Sequence, residues 1–395
     1  MSSSSVLNRF YGASGLALVL TLLALMLPWA VILDPASDPT LMQVINVNAW
    51  LQVDWLVLSL TVILCALAGV TVVHQPLPRA LLVTALTLLA LWQVTDIVKQ
   101  AELAGQTQWG FWLLVIAIGL CVWASMKFLT SIRLFDSKAQ GLINLMIPAL
   151  LGVWFISLWE LATIGFGIPH VLLPAPSVVG EAIMLSIPTL AADFNQTVIK
   201  AVIPGFLLGN LVGFSVAVLA DKIPFLRRGL LPVGNLVSAI PIVGIAPIMV
   251  MWFGFDWQSK VAVVVIMTFF PMLVNTIAGL GQSDAIEKDL LRSYGATYWQ
   301  SFFKLRLPNA LPFIFNALKI NSTLALIGAI VAEFFGTPIV GMGFRISTEV
   351  GRMNIEMVWA SIAVAALAGS TFYGLLALLE RRVTFWHASF RKAHH

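Results

Sequence analysis

Ten long apolar runs separated by short polar connections dominate the chain: residues 15–33, 55–73, 80–98, 110–128, 142–164, 198–220, 230–252, 261–280, 311–335 and 358–379. Each approaches the roughly 20 residues that an α-helix needs to cross a hydrocarbon layer about 30 Å thick. The pattern predicts an all-α integral membrane protein of about ten transmembrane helices. The seventh run is the least regular, because Pro232, Pro241 and Pro247 interrupt it. Proline frees backbone groups that must be re-satisfied inside the protein, so a break or kink beside a cavity is expected around Pro241 and Gly244. Both are candidates for lining a pathway. The first run is longer than a signal-peptide core, and no small-x-small cleavage site follows it cleanly, so it reads as a retained helix.

Composition removes the soluble alternatives. Hydrophobic residues make up 59% of the chain and charged residues 10%, with a mean hydropathy of +0.95. A soluble domain carries about a quarter of its residues charged; here most of the surface must face membrane lipid. Fourteen Trp beside four Tyr fit that reading, since Trp is enriched at membrane–water boundaries. The net charge of +4 is small and gives no reason to expect a nucleic-acid partner. Its distribution is more informative. With the N-terminus inside, 16 of the 22 Lys and Arg fall in cytoplasmic segments, 5 in outer ones, and Lys319 lies within a helix. The positive-inside bias therefore predicts two cytoplasmic termini. Cys65 and Cys121 each sit inside an apolar run and read as small buried residues, with no disulfide expected.

The chain divides near Ser137. Residues 1–138 form a four-helix membrane extension with almost no polar interior positions. Residues 139–395 form a six-helix domain that carries the prolines, the intramembrane charges and a long connection, 282–308. In that connection Asp284 with Glu287 makes a capping box, as does Thr297 with Gln300. Ile286, Leu290, Leu291 and Tyr294 share one helical face. Gly295 supplies a left-handed stop between the two helices. Apolar groups on a water-facing loop mark a docking surface or a segment lying on lipid headgroups.

The spacing within this loop resembles the signature of binding-protein-dependent ABC importer permeases: an acidic-Ala-Ala triplet, three residues, Gly, nine residues, then Ile-x-Leu-Pro. Here it reads Asp289-Leu290-Leu291, three residues, Gly295, nine residues beginning at Ala296, then Leu305-Arg306-Leu307-Pro308, with both alanines and the Ile replaced by Leu. Other stretches resemble the nitrate/sulfonate/taurine branch: Leu173-Pro-Ala-Pro-Ser177, Trp252-Phe-Gly254, Phe270-Pro271 with Asn275-Thr-Ile-Ala-Gly279, and Ala332-Glu333 before Gly341-Met-Gly343. The resemblance covers about 142–386. It implies a type I importer core in a bacterial inner membrane, built as a homodimer of permease subunits. It further implies a cytoplasmic ABC ATPase dimer, which carries ATP and Mg, and a periplasmic or extracellular solute-binding protein. Asp289, Leu290, Leu291, Tyr294, Gly295, Ala296, Leu307 and Pro308 would then be the ATPase-coupling residues.

The chain itself has no Gly-x4-Gly-Lys-Ser/Thr, because no Gly is followed by Lys. It has no phosphate cradle of the usual kind, no metal-ligand spacing, and no catalytic constellation; the expectation is a transport subunit without its own cofactor, not an enzyme. Asn316, Lys319, Ser322, Thr323 and Glu333 fall within about a 120° arc of the ninth helix. Either they line a pathway, or Lys319 snorkels to the surface and Glu333 sits near the outer interface. Asn321 falls off this arc. Glu160, one turn after Ser157, reads as a paired structural acid, and His170 as solvated. Gly205, Gly209 and Gly213 recur every four residues, a spacing for close helix packing. An ion-coupled secondary transporter without an ATPase is the competing class, and would show broken helices in both halves; only one such region is visible. A membrane scaffold is a third.

Overall fold

The structure, a computed structural model, describes residues 3–33, 44–48, 52–70, 76–99, 105–134, 136–238, 241–336 and 338–386. Among these, eight helices are long and apolar enough to cross a membrane. They match eight of the ten apolar runs, and the other two take a different form. Compactness divides the chain into two units, Met1–Val178 and Val179–His395. This division is one of packing; the sequence division at 138/139 follows where polar residues, prolines and intramembrane charges fall, and remains a separate proposal.

The first unit begins with α1 (Ser3–Met26), followed by strands β1 (Pro28–Leu33) and β2 (Val44–Asn48), which pair antiparallel. The first apolar run was expected to stay helical to residue 33. Pro28 prevents this, since its ring fixes φ and it has no N–H to continue the ladder; the β-branched Val31 and Ile32 then favour the hairpin. Trp29 is buried there, stacked on Trp55 at 5.5 Å, and its indole N–H donates to the Ala24 carbonyl at 2.7 Å. Helices α2 (Val53–Val70), α3 (Pro76–Val98), α4 (Trp109–Ser131) and α5 (Ser137–Gly165) complete the unit, and α6 (Pro176–Leu185) begins at its end. One core runs through it, from Ala17 and Trp29 to Leu150 and Leu161. Cys65 and Cys121 are free, buried thiols within that core. Glu160 is buried and accepts from the Ser177 N–H at 2.9 Å and hydroxyl at 2.6 Å, with Lys99 3.3 Å away. Its carboxylate thus satisfies the first turn of α6, which is why a Ser follows the Pro-Ala-Pro turn. His170 is exposed.

In the second unit α7 (Ile187–Phe194) runs through a π-helical stretch (Asn195–Val202) into α8 (Ile203–Lys222). Then come α9 (Pro224–Ser238), α10 (Ile242–Phe253), α11 (Trp257–Gly281), α12 (Ala285–Ser293) and α13 (Tyr298–Ser301). A second π-helical stretch (Phe302–Arg306) leads into α14 (Leu307–Phe335), followed by α15 (Met342–Gly351) and α16 (Ile355–Val383). The run at 230–252 is therefore broken into α9 and α10, with Pro241 as the N-cap of the second piece in extended conformation. Both π stretches end two residues before a proline, Pro204 and Pro308. A proline leaves the carbonyl four residues earlier without a donor, and a locally widened helix, with Ile203 N–H reaching Val198 O and Leu307 N–H reaching Phe302 O, absorbs the mismatch.

Helix α11 packs along both α8 and α14. The glycines of α8 make the first contact possible. A Cβ on Gly209 would lie 2.0 Å from the Thr268 hydroxyl, on Gly205 2.6 Å from Val264, and on Gly213 2.6 Å from the Phe269 carbonyl. Close approach of this kind is how membrane helices associate without a hydrophobic driving force. Where the three helices meet, the Asn321 amide donates to Asn210 Oδ1 at 2.6 Å and to the Thr268 carbonyl at 2.7 Å. Asn321 is fully buried, and tying α14 to α8 and α11 explains a polar residue off the expected arc.

Candidate functional site

The connection 282–308 folds as its sequence signals direct. Asp284 and Glu287 close the capping box of α12. Three backbone bonds end the helix: Tyr294 N–H to Leu290 O at 3.3 Å, Gly295 N–H to Arg292 O at 2.9 Å, and Ala296 N–H to Leu291 O at 3.0 Å. The last closure requires a left-handed residue, and Gly295 has φ +71°. Thr297 then caps α13, with its own N–H bonded to Gln300 Oε1 at 2.8 Å. The result is a helix–glycine–helix elbow.

The elbow presents apolar groups outward. Ile286 is 80% exposed, Tyr294 81% and Leu290 56%, and Phe303 is 60% exposed where the next helix begins. Leu291 and Ala296 are half-buried inside the bend, and Asp289 is exposed. Charged side chains, Asp289 and Arg292 among them, are exposed on the same short helix. Leu307 and Pro308 open α14 directly after the π-helical stretch that accommodates the missing Pro308 N–H; Leu307 packs against a core that includes Leu280, Phe302 and Ala310.

What holds the elbow to the bundle was not visible in the sequence. Arg306 Nη1 and Nη2 donate to the two carboxylate oxygens of Asp221 at 2.7 and 2.6 Å, and Arg306 Nε donates to the Leu280 carbonyl at 3.2 Å. The Tyr298 hydroxyl donates to the same carboxylate at 2.9 Å. Asp221 is the last acid of α8 and its side chain is 3% exposed. Phe302 is buried beneath this knot. The base of the elbow is therefore rigidly tied to α8 and α11, while its outer face is free. The only signal in the sequence was an acid at the end of an apolar run.

The polar arc of α14 does not form one surface. Asn316 and Thr323 are exposed, and Thr323 donates to the Ile320 carbonyl. Ser322 is buried and bonds the Lys319 carbonyl at 2.7 Å. Lys319 pairs with Glu380 of α16 at 2.6 Å. Glu333 is buried and bonded to the Thr197 hydroxyl at 2.8 Å and the Gly343 N–H at 2.7 Å. Five residues of one stripe thus meet different neighbours, because α14 is 29 residues long and its surroundings change along it. Pro241 and Gly244 are both exposed at the α9–α10 break, and a Cβ on Gly244 would meet nothing within 4 Å.

At the end of α14 away from the elbow lies a second cluster, in which Glu333 and Gly341-Met-Gly343 meet Asp193, Thr197 and Arg345, three residues that sequence reading did not connect to them. Three successive N–H groups that open α15 are taken by side chains: Gly341 by Asp193 at 2.8 Å, Met342 by Thr197 at 2.8 Å, and Gly343 by Glu333 at 2.7 Å. Arg345 closes on Asp193 at 2.8 Å. A Cβ on Gly341 would stand 2.8 Å from the Glu333 carboxylate, and on Gly343 2.3 Å from the Ile330 carbonyl. This explains physically why Ala332-Glu333 and Gly341-Met-Gly343 occur together. Nearby, Lys260 is buried and donates to the Phe255 and Gly336 carbonyls. At the start of α11, the Asp256 carboxyl is held below the usual carboxylate range by the Trp257 N–H it caps and by the Gln196 amide. Among the described residues no group of His, Cys, Asp and Glu could hold a metal.

Comparison with known proteins adds to this geometry. The family described as binding-protein-dependent transport system inner membrane component matches residues 209–385. The riboflavin transport system permease protein RibX of Chloroflexus aurantiacus is 30% identical over 261 residues, 66% of this chain and 94% of that protein. The formylaminopyrimidine transport permease protein ThiX of Halalkalibacterium halodurans is 32% identical, over 60% of this chain and 95% of its own. The taurine transport system permease protein TauC of Escherichia coli is 27% identical, over 61% and 88%. Each relative is matched by about two thirds of the chain or slightly less.

Proposed function

Because the chain belongs to the binding-protein-dependent inner membrane components of ABC transporters, in their nitrate/sulfonate/taurine-type branch, we propose that it forms the solute pathway of an importer and takes its energy from a separate ATPase. The observation that carries this reading is the elbow at Gly295: exposed apolar side chains on a capped, glycine-bounded helix whose base is fixed to the bundle by Asp221 and Arg306. A loose surface loop would lose an imposed force in its own flexing. A rigid lever with a free apolar face transmits it into α8, α11 and α14.

On this reading the elbow is cytoplasmic, as are both termini, and an ATPase dimer grips Asp289, Leu290, Leu291, Tyr294, Gly295 and Ala296. Leu307 and Pro308 carry the movement into α14. Two copies of this chain enclose the pathway in a bacterial inner membrane, and a solute-binding protein delivers to its outer face. The break at Pro241 and Gly244 borders the pathway, with Asn316 and Thr323 as exposed polar positions on α14. Glu333 and Lys319, by contrast, have bonding duties inside the bundle. The relatives' names span riboflavin, a formylaminopyrimidine, aliphatic sulfonates and taurine; they suggest a small polar organic or anionic solute.

The test is co-expression with a candidate ABC ATPase and solute-binding protein from the same organism, purification through a tag on this chain, and reconstitution into liposomes. Uptake should need ATP and both partners. Uptake driven by an ion gradient without ATP would reject the proposal in favour of a secondary transporter.

A further inference from the structure

Between α12 and α13, on the inner side of the elbow, lies a recess of about 430 Å³. Its lining includes Lys288, Arg292 and Arg306, with Leu291, Ala296 and Thr297 between them. No acid lines it. Of its three cations, Arg306 is already committed to Asp221 and to the Leu280 carbonyl. Arg292 pairs with Asp289 at 3.3 Å, but both side chains are more than 70% exposed, and an exposed pair of this kind is worth little and opens readily. Lys288 is half-buried against the recess, and no acid within the ion-pair distance is found for it among the described residues. Two of the three positive groups are therefore available to an incoming partner, in a recess whose remaining lining is Leu291, Ala296, Thr297, Tyr298 and Ser301.

Resting on the reading of the elbow as an ATPase dock, we propose that this recess receives a carboxylate side chain, Asp or Glu, of the ATPase, held between Lys288 and Arg292. An apolar docking face supplies contact area but tolerates sliding and rotation. A carboxylate seated between an ammonium and a guanidinium fixes register, because charge-assisted bonds are directional. It also brings the force to the inner corner of the bend, next to Gly295, where the elbow is tied down.

The proposal is tested on the assembled importer in native membranes with a water-soluble carbodiimide. This reagent activates a carboxylate, which an adjacent lysine amine attacks; an amide forms and the carbodiimide leaves as a urea. Mass spectrometry should find Lys288 joined to an Asp or Glu of the ATPase. Lys288→Glu should lower ATPase retention through a high-salt wash at least tenfold, and Lys288→Arg, which keeps the charge but cannot form the amide, should restore it. The proposal is overturned if the ATPase is retained but Lys288 joins no ATPase carboxylate, or if Lys288→Glu leaves retention unchanged. It is equally overturned if Lys288→Glu changes only the dependence on anionic phospholipid in vesicles, which would make the recess a headgroup site. Failure of the ATPase to co-purify with the unaltered chain would instead remove the underlying reading of the elbow.

Discussion

Arg306 and Asp221, 85 positions apart in the chain, meet in a two-pronged ion pair at 2.6 and 2.7 Å at the base of the elbow. Both are largely buried, so removing one partner leaves an uncompensated charge, a loss of about 3–5 kcal/mol when a buried pair is broken. Asp221→Ala should lower the melting temperature of the purified protein and abolish uptake. Exchanging the two residues, Asp221→Arg with Arg306→Asp, should recover part of both, since the Leu280 carbonyl can serve only the original arrangement. Melting curves in detergent and uptake in vesicles check this.

The α8–α11 contact predicts a contrast between two glycines. Gly209→Ala drives a methyl against the Thr268 hydroxyl and the Val265 backbone, and overpacking of this kind costs about 1–3 kcal/mol. Gly244→Ala meets nothing, and alanine inside a helix is favoured over glycine by about 1 kcal/mol. Thermal stability should fall in the first variant and hold or rise in the second.

At the far end of α14, Gly343→Ala collides with the Ile330 carbonyl, and Glu333→Gln replaces one of the two oxygens that accept from the Thr197 hydroxyl and the Gly343 N–H with an amide nitrogen that can only donate. Each should unseat α15. Hydrogen exchange across 341–351 should accelerate while the α8–α11 core stays protected.

Asp256 caps α11. Replacing such a cap by alanine costs about 1 kcal/mol. Because its folded value lies below its unfolded one, the stability it gives is present above the unfolded value and is lost as the pH falls through the folded one. The gap in melting temperature between the wild type and Asp256→Ala should therefore be widest near neutrality and close on acidification.

What the sequence disclosed, and what it did not, follows from the range of the interactions. Capping boxes and the glycine stop act within five residues, so α12, the turn at Gly295 and α13 could be read directly from 284–300. The glycine stripe of α8 was equally plain as a period of four, though its partner helix was not. The arc on α14 does not meet a single neighbour, because periodicity gives direction around one helix and says nothing about what stands there; Glu380, which pairs with Lys319, comes from α16, and Thr197, which bonds Glu333, from the stretch that leads into α8. The strand after Met26 was hidden by hydropathy, which counts Trp29 to Leu33 as apolar whether they are helical or extended. Asp193 and Asp221 were overlooked for the same reason as their partners: each gains meaning only through a residue more than 80 positions away.

The central claim is that the left-handed turn at Gly295 carries force from a separate ATPase into the membrane helices, and ATP-driven solute uptake by Gly295 variants measures it most directly. Nothing in the structure crowds this position, so only its φ of +71° resists substitution. Asn tolerates that conformation, whereas a β-branched residue pays about 1–2 kcal/mol or more there. The account predicts that Gly295→Asn retains most uptake, and that Gly295→Val loses at least tenfold while still inserting in the membrane at normal abundance. Full uptake by Gly295→Val, at equal abundance, would contradict it.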